Sequence, residues 1–381
     1  MKIEQRYWTE TEGWQQEGEG RVGEAANWVL VFGAPGCLSR KEEIDAIRAA
    51  FPRALITGCS TAGEICGTRV RDDSLAVTAV QFEDTRLELA VTTLGDSDSY
   101  GAGRALATEL GTGGLRHVLV LSDGLQVNGS ELVKGLRDHL PAGVVATGGL
   151  AGDGSRFQNT LVWADGEPAP GRIAALGFYG ERIRVGYGSL GGWDSFGPER
   201  LVTRSSGNVL YELDGQSALA LYKSYLGEHA AGLPSTGLLF PLALRQQDGG
   251  YSVVRTLLAV NEEDNSMTFA GDLPEGAYAR LMKANFDRLI DGASDAARAG
   301  YEALGSVLPE LAILISCVGR KLVLKQRIEE EVESVREVLG KRAALTGFYS
   351  YGEICPHDAI SRCELHNQTM TITTFSENQG S

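Results

Sequence analysis

The chain has 381 residues, 43% of them hydrophobic, with 49 glycines and a formal net charge of -15. That length exceeds one ordinary core and argues for two domains or one duplicated pair. An acidic field without a long Lys/Arg cluster excludes nucleic acid as a partner, and no apolar run approaches the roughly 18 residues that cross a bilayer, which excludes membrane insertion.

Residues 1–26 are polar and rich in Gly and Glu, with Tyr7, Trp8 and Trp14 as anchors, and read as a loosely docked N-terminal arm. The start MKIEQRYWTETEGW is charged, unlike a signal peptide, so a cytoplasmic location is expected. A first β-α-β unit follows. Trp28 to Phe32 is its first strand, Ile44, Ile47 and Phe51 line one helical face, and the second strand ends in Thr57-Gly58. Ser39 with Glu42 stands at capping-box spacing before that helix, as Asn128 with Glu131 does before the next. SLAVTAVQF and LELAVTTL flank Glu83-Asp84-Thr85 and predict a hairpin.

A second unit has the same order: HVLVLSDG from 117, a helix with Leu132, Val133, Leu136 and Leu140 on one face, then GVVATGGLAGD from 143. Turn-separated strands lead to a Gly-rich break at Gly191 to Pro198, and a domain boundary is expected near 215. The helix pattern Ser217 to Leu226 and a hinge at 229–237 come next. Strands in LLFPLAL, YSVVRTLLAV and SMTFAG precede a helix expected from Tyr278 to Leu304. The third unit runs from Leu311 to Ser316, through a helix with Ile328, Val332, Val335 and Leu339, to a strand ending in Thr346-Gly347. CELHNQTMTITTF closes the chain as one strand. The expected class is α+β: mixed sheets flanked by helices in two domains, 27–215 and 216–381, built from duplicated β-α-β units that end in Gly-rich turns.

The duplication is explicit. RALITGCSTAGEIC at 53–66 and RAALTGFYSYGEIC at 342–355 share eight residues in register. A unit copied together with its turn directs attention to the turn. In Gly58-Cys59-Ser60-Thr61-Ala62-Gly63-Glu64, backbone N-H groups can hold an anion while Glu64 holds an ammonium, as a zwitterion needs; equally, the carboxylate can cap its own turn. Glu353 after Gly352 has the same two readings, with Tyr349 and Tyr351 adding aromatic walls. Asp123 and Asp153, the latter after Gly148-Gly149, stand at strand ends where α/β crevices collect ligands, or serve as turn residues. Arg320 can pair with a carboxylate of ligand or protein.

Enzyme chemistry is not expected. Gly58 to Gly63 misses the G-x-S-x-G elbow by one residue, and a hydrolase at Cys59 or Ser60 needs a base that the five histidines do not visibly supply. The six cysteines form no CxxC pair, so no metal site or disulfide framework is indicated. His366 is a structural histidine or a haem axial ligand.

GCSTAGEI, SDG…TGGLAGD…FQNTLVW, SCVGRKLVL and GFYSYGEI…CELHNQTMT together resemble the FIST family across roughly 27–370, in the order of its N-terminal and C-terminal regions. The resemblance implies an intracellular sensory module for a small ligand such as an amino acid, non-enzymatic, that feeds histidine kinases, cyclic-dinucleotide enzymes or chemotaxis receptors. Some members are haem-bearing nitric-oxide sensors, so the resemblance implies no certain cofactor, with a haem sensor that uses His366 as the alternative reading. No output segment is attached here, so a separate partner is expected.

Overall fold

The computed structural model describes residues 1–95, 98–245, 252–305, 307–356 and 363–377. The first unit comprises β1 (Lys2–Thr9), β2 (Gly13–Glu17), β3 (Trp28–Gly33), α1 (Pro35–Leu38), α2 (Lys41–Ala50), β4 (Leu55–Ser60), the hairpin β5 (Glu64–Cys66) and β6 (Arg69–Arg71), and β7 (Ser74–Gln81). In the second are β8 (Arg86–Thr93), α3 (Ser99–Leu110), β9 (Leu115–Ser122), α4 (Gly129–His139), β10 (Val145–Leu150), β11 (Val162–Ala164) and β12 (Arg172–Tyr179). The third opens with β13 (Arg184–Leu190).

An inserted unit then intervenes: β14 (Asp194–Ser206), β15 (Val209–Leu213), β16 (Gln216–Ser217), α5 (Ala218–Leu226), β17 (Leu242–Arg245), β18 (Ser252–Arg255), β19 (Leu257–Asn261), β20 (Ser266–Phe269) and β21 (Tyr278–Lys283). These strands form one eight-stranded sheet over its own core, around Leu210, Tyr222, Leu242 and Phe269. A cut near 215 falls inside that sheet, between the paired β15 and β16. The third unit resumes with α6 (Phe286–Ala303), β22 (Leu311–Cys317), α7 (Val318–Leu324), α8 (Ile328–Leu339), β23 (Ala344–Ser350), the hairpin β24 (Gly352–Pro356) and β25 (Cys363–His366), and β26 (Met370–Ser376).

The three sheets share one plan. Each orders an outer strand, a closing strand and two parallel strands, β1-β7-β3-β4, β8-β12-β9-β10 and β13-β26-β22-β23, with β2 added outside β1 in the first. Beyond the second parallel strand, each is completed by a neighbour. β11 of the second unit extends the first sheet, the β5-β6 hairpin extends the third, and the β24-β25 hairpin extends the second. The exchange is cyclic, so no unit can finish its sheet alone. Inward faces meet in a shared core of Trp28, Phe32, Leu119, Phe178, Ile313, Phe348 and Phe375, and the helices pack outside.

Several local expectations are corrected. The N-terminal arm is not loosely docked: β1 runs antiparallel along all of β7, and its buried Glu4 carboxylate accepts from the Val22 and Gly23 N-H groups at 2.7 and 2.9 Å. β7 and β8 do not pair as a hairpin. The Glu83–Thr85 turn between them is gripped by the Glu377 carboxylate, which accepts from all three N-H groups, and it sends the chain into the next sheet. Ser39 caps no helix, its hydroxyl donating to Pro35 carbonyl, whereas Asn128 accepts from Glu131 N-H at 3.2 Å. Tyr278–Lys283 is strand, because the helix begins after its Asn285 cap. The closing segment is two strands that turn at residues 367–369.

Candidate functional site

The Thr-Gly pair of each unit is a packing device. Val31 lies opposite Gly58, Val120 opposite Gly148 and Leu314 opposite Gly347 in the parallel ladders. A β-carbon at any of the three would collide with the facing carbonyl, so only glycine fits. Beyond these glycines the chain crosses to its neighbour. Ala62 N-H donates to Tyr349 carbonyl, Tyr349 N-H to Gly63 carbonyl, Gly152 N-H to Ser60 carbonyl and Tyr351 N-H to Leu150 carbonyl, at 2.8 to 3.1 Å. The three turns therefore meet at the carboxyl ends of the parallel strands.

This geometry corrects the anion-cradle reading of the first turn. Ala62 N-H is engaged across the junction and Gly63 N-H points to Thr61 Oγ1 at 3.2 Å. Glu64 is a buried staple that accepts from the Thr61 hydroxyl and from the Ser74 hydroxyl and N-H, the last two at 2.6 and 3.2 Å. Glu353 repeats the pattern with the Ser350 hydroxyl at 2.5 Å and the Thr369 hydroxyl and N-H at 2.9 and 3.2 Å. Burial raises Glu64 to about 7 and Glu353 to about 8, against the pull of those donors.

Asp123 and Asp153 shape one loop. Asp123 accepts from the N-H groups of Leu125, Gln126 and Gly171 and from the Thr160 hydroxyl. Asp153 takes the N-H groups of Phe157, Gln158 and Asn159 and the Tyr351 hydroxyl. Burial pushes Asp153 upward, but these four donors outweigh it and leave the carboxyl lowered. Tyr351 also stacks on Phe157, centroids 4.4 Å apart, so it fastens the loop. Tyr349 is fully buried and donates to Glu331 at 2.6 Å. Arg320 is buried against the same Glu331 at 2.8 Å and reaches the Gly191 and Leu289 carbonyls, which makes it structural. Gly149 and Gly352 lie in the β10–β24 ladder.

The hydrolase reading finds no base. Cys59 is fully buried with its thiol raised well above the usual range by desolvation. Ser60 Oγ accepts from Leu161 N-H at 2.9 Å, and among the described residues no hydrogen bond joins either side chain to a histidine or carboxylate. Haem does not fit His366. The ring is buried in β25, opposite Glu353, and its Nε2 donates to Cys355 carbonyl at 2.9 Å. His366 lines none of the described cavities.

What remains open is a cavity of about 360 Å³ at the junction of the three units. Its walls are the first turn (Thr61 to Glu64), Asp72 and Asp73 of the β6–β7 turn, Gly154 to Arg156 of the stapled loop, and Val318, Lys321 and Leu322 of α7. Lys321 Nζ donates to Ala62 carbonyl at 2.8 Å and pairs with Asp72. Arg156 and Asp73 line the same space, and neither has a hydrogen-bond or ion-pair partner among the described residues. A larger cavity of about 750 Å³ opens elsewhere, between β2 and the 307–310 and 341–344 segments. It touches none of the turns. Sequence reasoning missed Asp72, Asp73, Arg156 and Lys321, and the only signal for them was proximity to the motifs Arg71-Asp72-Asp73-Ser74, Gly152-Asp153 and Arg320.

Three interlocked units leave a charged cavity at their junction, and among the described residues no cluster could hold a metal ion. The FIST N domain matches residues 27–216 and the FIST C domain matches 218–356, so the chain belongs to the FIST family, whose domains are sensory and signal-transduction modules. It is 22% identical over 408 residues to an uncharacterized protein of Methanocaldococcus jannaschii, covering 96% of this chain and 76% of that one. A chorismatase crystal structure aligns over 98% of both chains at 12% identity with a TM-score of 0.33. Among the described residues no helix is long and apolar enough to cross a membrane.

Proposed function

We propose that this chain is a non-enzymatic sensor that holds a small zwitterion of the amino-acid class in the cavity between the first turn and α7. It passes occupancy to a separate output protein, such as a histidine kinase or a cyclic-dinucleotide enzyme. One observation carries the reading: an unpaired guanidinium, Arg156, and an unpaired carboxylate, Asp73, line one cavity of about 360 Å³. Arg156 would take the ligand carboxylate in a fork, and Asp73 would take the ammonium. Neither needs to break an existing pair. Asp153 acts through the loop that presents Arg156, and Glu64 fixes the opposite wall.

A panel of amino acids in thermal-shift assays tests the proposal. A ligand at 100 times its Kd stabilises the native state by about 2.7 kcal/mol. Arg156→Met and Asp73→Asn, both at exposed positions, should each abolish the shift without lowering the unliganded Tm. Shifts that survive both substitutions would move the site elsewhere.

A further inference from the structure

The cavity of about 750 Å³ lies at the amino ends of the third unit's parallel strands, where the chain enters β22 and β23 beside β1 and β2. Both of its charged walls are built. On the first-unit wall, Gly20 sits so close over β1 that a β-carbon would collide with Ile3 carbonyl, which pins the segment that carries Glu19. Gly67, at φ of +62°, leaves the space into which the Glu17 carboxylate reaches, since a β-carbon there would meet Glu17 Oε1. On the third-unit wall, α8 stops before Gly340, and Arg336 Nη1 donates to the carbonyls of Gly340 and Ala343. The loop that presents Lys341 and Arg342 is therefore held by the helix it leaves.

The remaining charges on these walls are uncommitted. Lys341 and Arg342 on one side, and Glu17 and Glu19 on the other, have no hydrogen-bond or ion-pair partner among the described residues. Glu17 is half-buried and acts on Arg336 only through its field, which offsets part of the burial that lowers that guanidinium. Ile3, Val307, Leu308 and Pro309 add apolar surface to the same cavity. Leu308, 53% exposed, is the most exposed large apolar side chain among the described residues.

We propose that this cavity binds a guanine mononucleotide, with its phosphate on Lys341 and Arg342, its base against Ile3 and Leu308, and its base edge on Glu17. The volume suits such a ligand, since small-molecule pockets run from about 300 to 1,000 Å³. Arg and Lys with free donors take a phosphoryl group by charge-assisted hydrogen bonds. Guanine N1-H and N2-H lie side by side and donate to a carboxylate in a fork, whereas adenine offers one donor beside an acceptor. Glu19 takes the ribose hydroxyls. Simpler anions fit less well: free phosphate leaves Glu17 unpaired in the wall, and an acyl carboxylate sets both glutamates against an apolar tail. The net charge of -15 excludes a polyanion that needs an extended basic face, but one phosphoryl group needs only the two cations beside it. The site is separate from the cavity between the first turn and α7.

Equilibrium dialysis of the full chain against guanosine monophosphate, adenosine monophosphate, guanosine and inorganic phosphate tests the proposal. The guanine nucleotide should bind about tenfold or more tighter than the adenine nucleotide, the discrimination that a two-donor edge contributes. It should also bind tighter than guanosine or phosphate alone. Lys341→Met with Arg342→Met, both at exposed positions, should reduce its affinity to that of guanosine while keeping the wild-type Tm and the amino-acid response. Glu17→Gln should bring the two nucleotides close together, because an amide serves either base. No retained guanosine monophosphate at millimolar concentration would overturn the proposal. So would equal affinities for the two nucleotides in the wild type, phosphate binding as tightly as the nucleotide, or an unchanged affinity in the double variant.

Discussion

Gly58, Gly148 and Gly347 carry the motif because a neighbouring carbonyl occupies the place of a side chain. Gly58→Ala or Gly347→Ala should therefore cost about 1–3 kcal/mol or more, read as a lower urea midpoint, whereas Gly36→Ala, with open space around it, should be nearly silent. Equal effects at the three positions would refute the argument. Glu64 and Glu353 make the residue scale pH-dependent. Their folded values, about 7 and about 8, lie above an unfolded value of about 4.3. The stability linked to this proton uptake is full below the unfolded value and lost as pH rises through the folded one. Buried His117, lowered to about 3 by desolvation, works in the opposite sense below about pH 6.5, so the wild-type curve alone is mixed. Comparison with Glu353→Gln isolates one group. Relative to wild type the variant should gain up to about 1.4 kcal/mol per pH unit between pH 5 and 8, and parallel stability curves would rule this out.

At the scale of elements, α7 and α8 are tied by a buried ion pair. Glu331 receives Arg320 at 2.8 and 3.1 Å, Tyr349 at 2.6 Å and Ser316 at 3.2 Å. Glu331→Gln leaves the guanidinium without its counter-charge and should cost about 3–5 kcal/mol. The double change Arg320→Met with Glu331→Met should cost clearly less, and a double-mutant cycle measures the difference. α7 also supplies Lys321 to the cavity wall, so the single variant should weaken ligand response as well as stability. If the single and double variants unfold at the same denaturant concentration, the pair is not what orients α7.

For the whole molecule, cyclic strand exchange makes the three sheets one cooperative body: β5, β11 and β24 are each made by one unit and hydrogen-bonded in another. The inserted sheet has a separate core and reaches the body through a small apolar cluster that joins Met282 to Leu289, Val323 and Leu324, and through polar contacts such as Arg255 to Leu365 carbonyl at 2.9 Å and Asn128 to Asp272 at 3.3 Å. Native-state hydrogen exchange should show β3, β9 and β22 opening together with global unfolding, and β15, β17 and β20 opening at lower free energy. A common opening energy for both sets would show that the insertion belongs to the same unit.

The three β-α-β units, their helix faces and the duplicated turn were legible in the sequence because periodicity and register are local properties. Asn128 as a cap was legible for the same reason. Partnership between units was not. Glu83 to Thr85 reads as a hairpin turn in isolation, and only Glu377, nearly 300 residues away, turns it into a crossing between sheets. The glutamates at 64 and 353 read as ligand groups because sequence shows a carboxylate at a strand end but not the hydroxyls at 74 and 369 that receive it. Arg156 and Asp73 were invisible as a pair, since nothing along the chain connects them. What the amino-acid order determined was which segments form strands and helices and which turn was copied. What only the tertiary structure decided was where those turns lead: a strand's edge is completed by whichever backbone reaches it, and beyond the second parallel strand of each sheet that backbone belongs to the neighbouring unit.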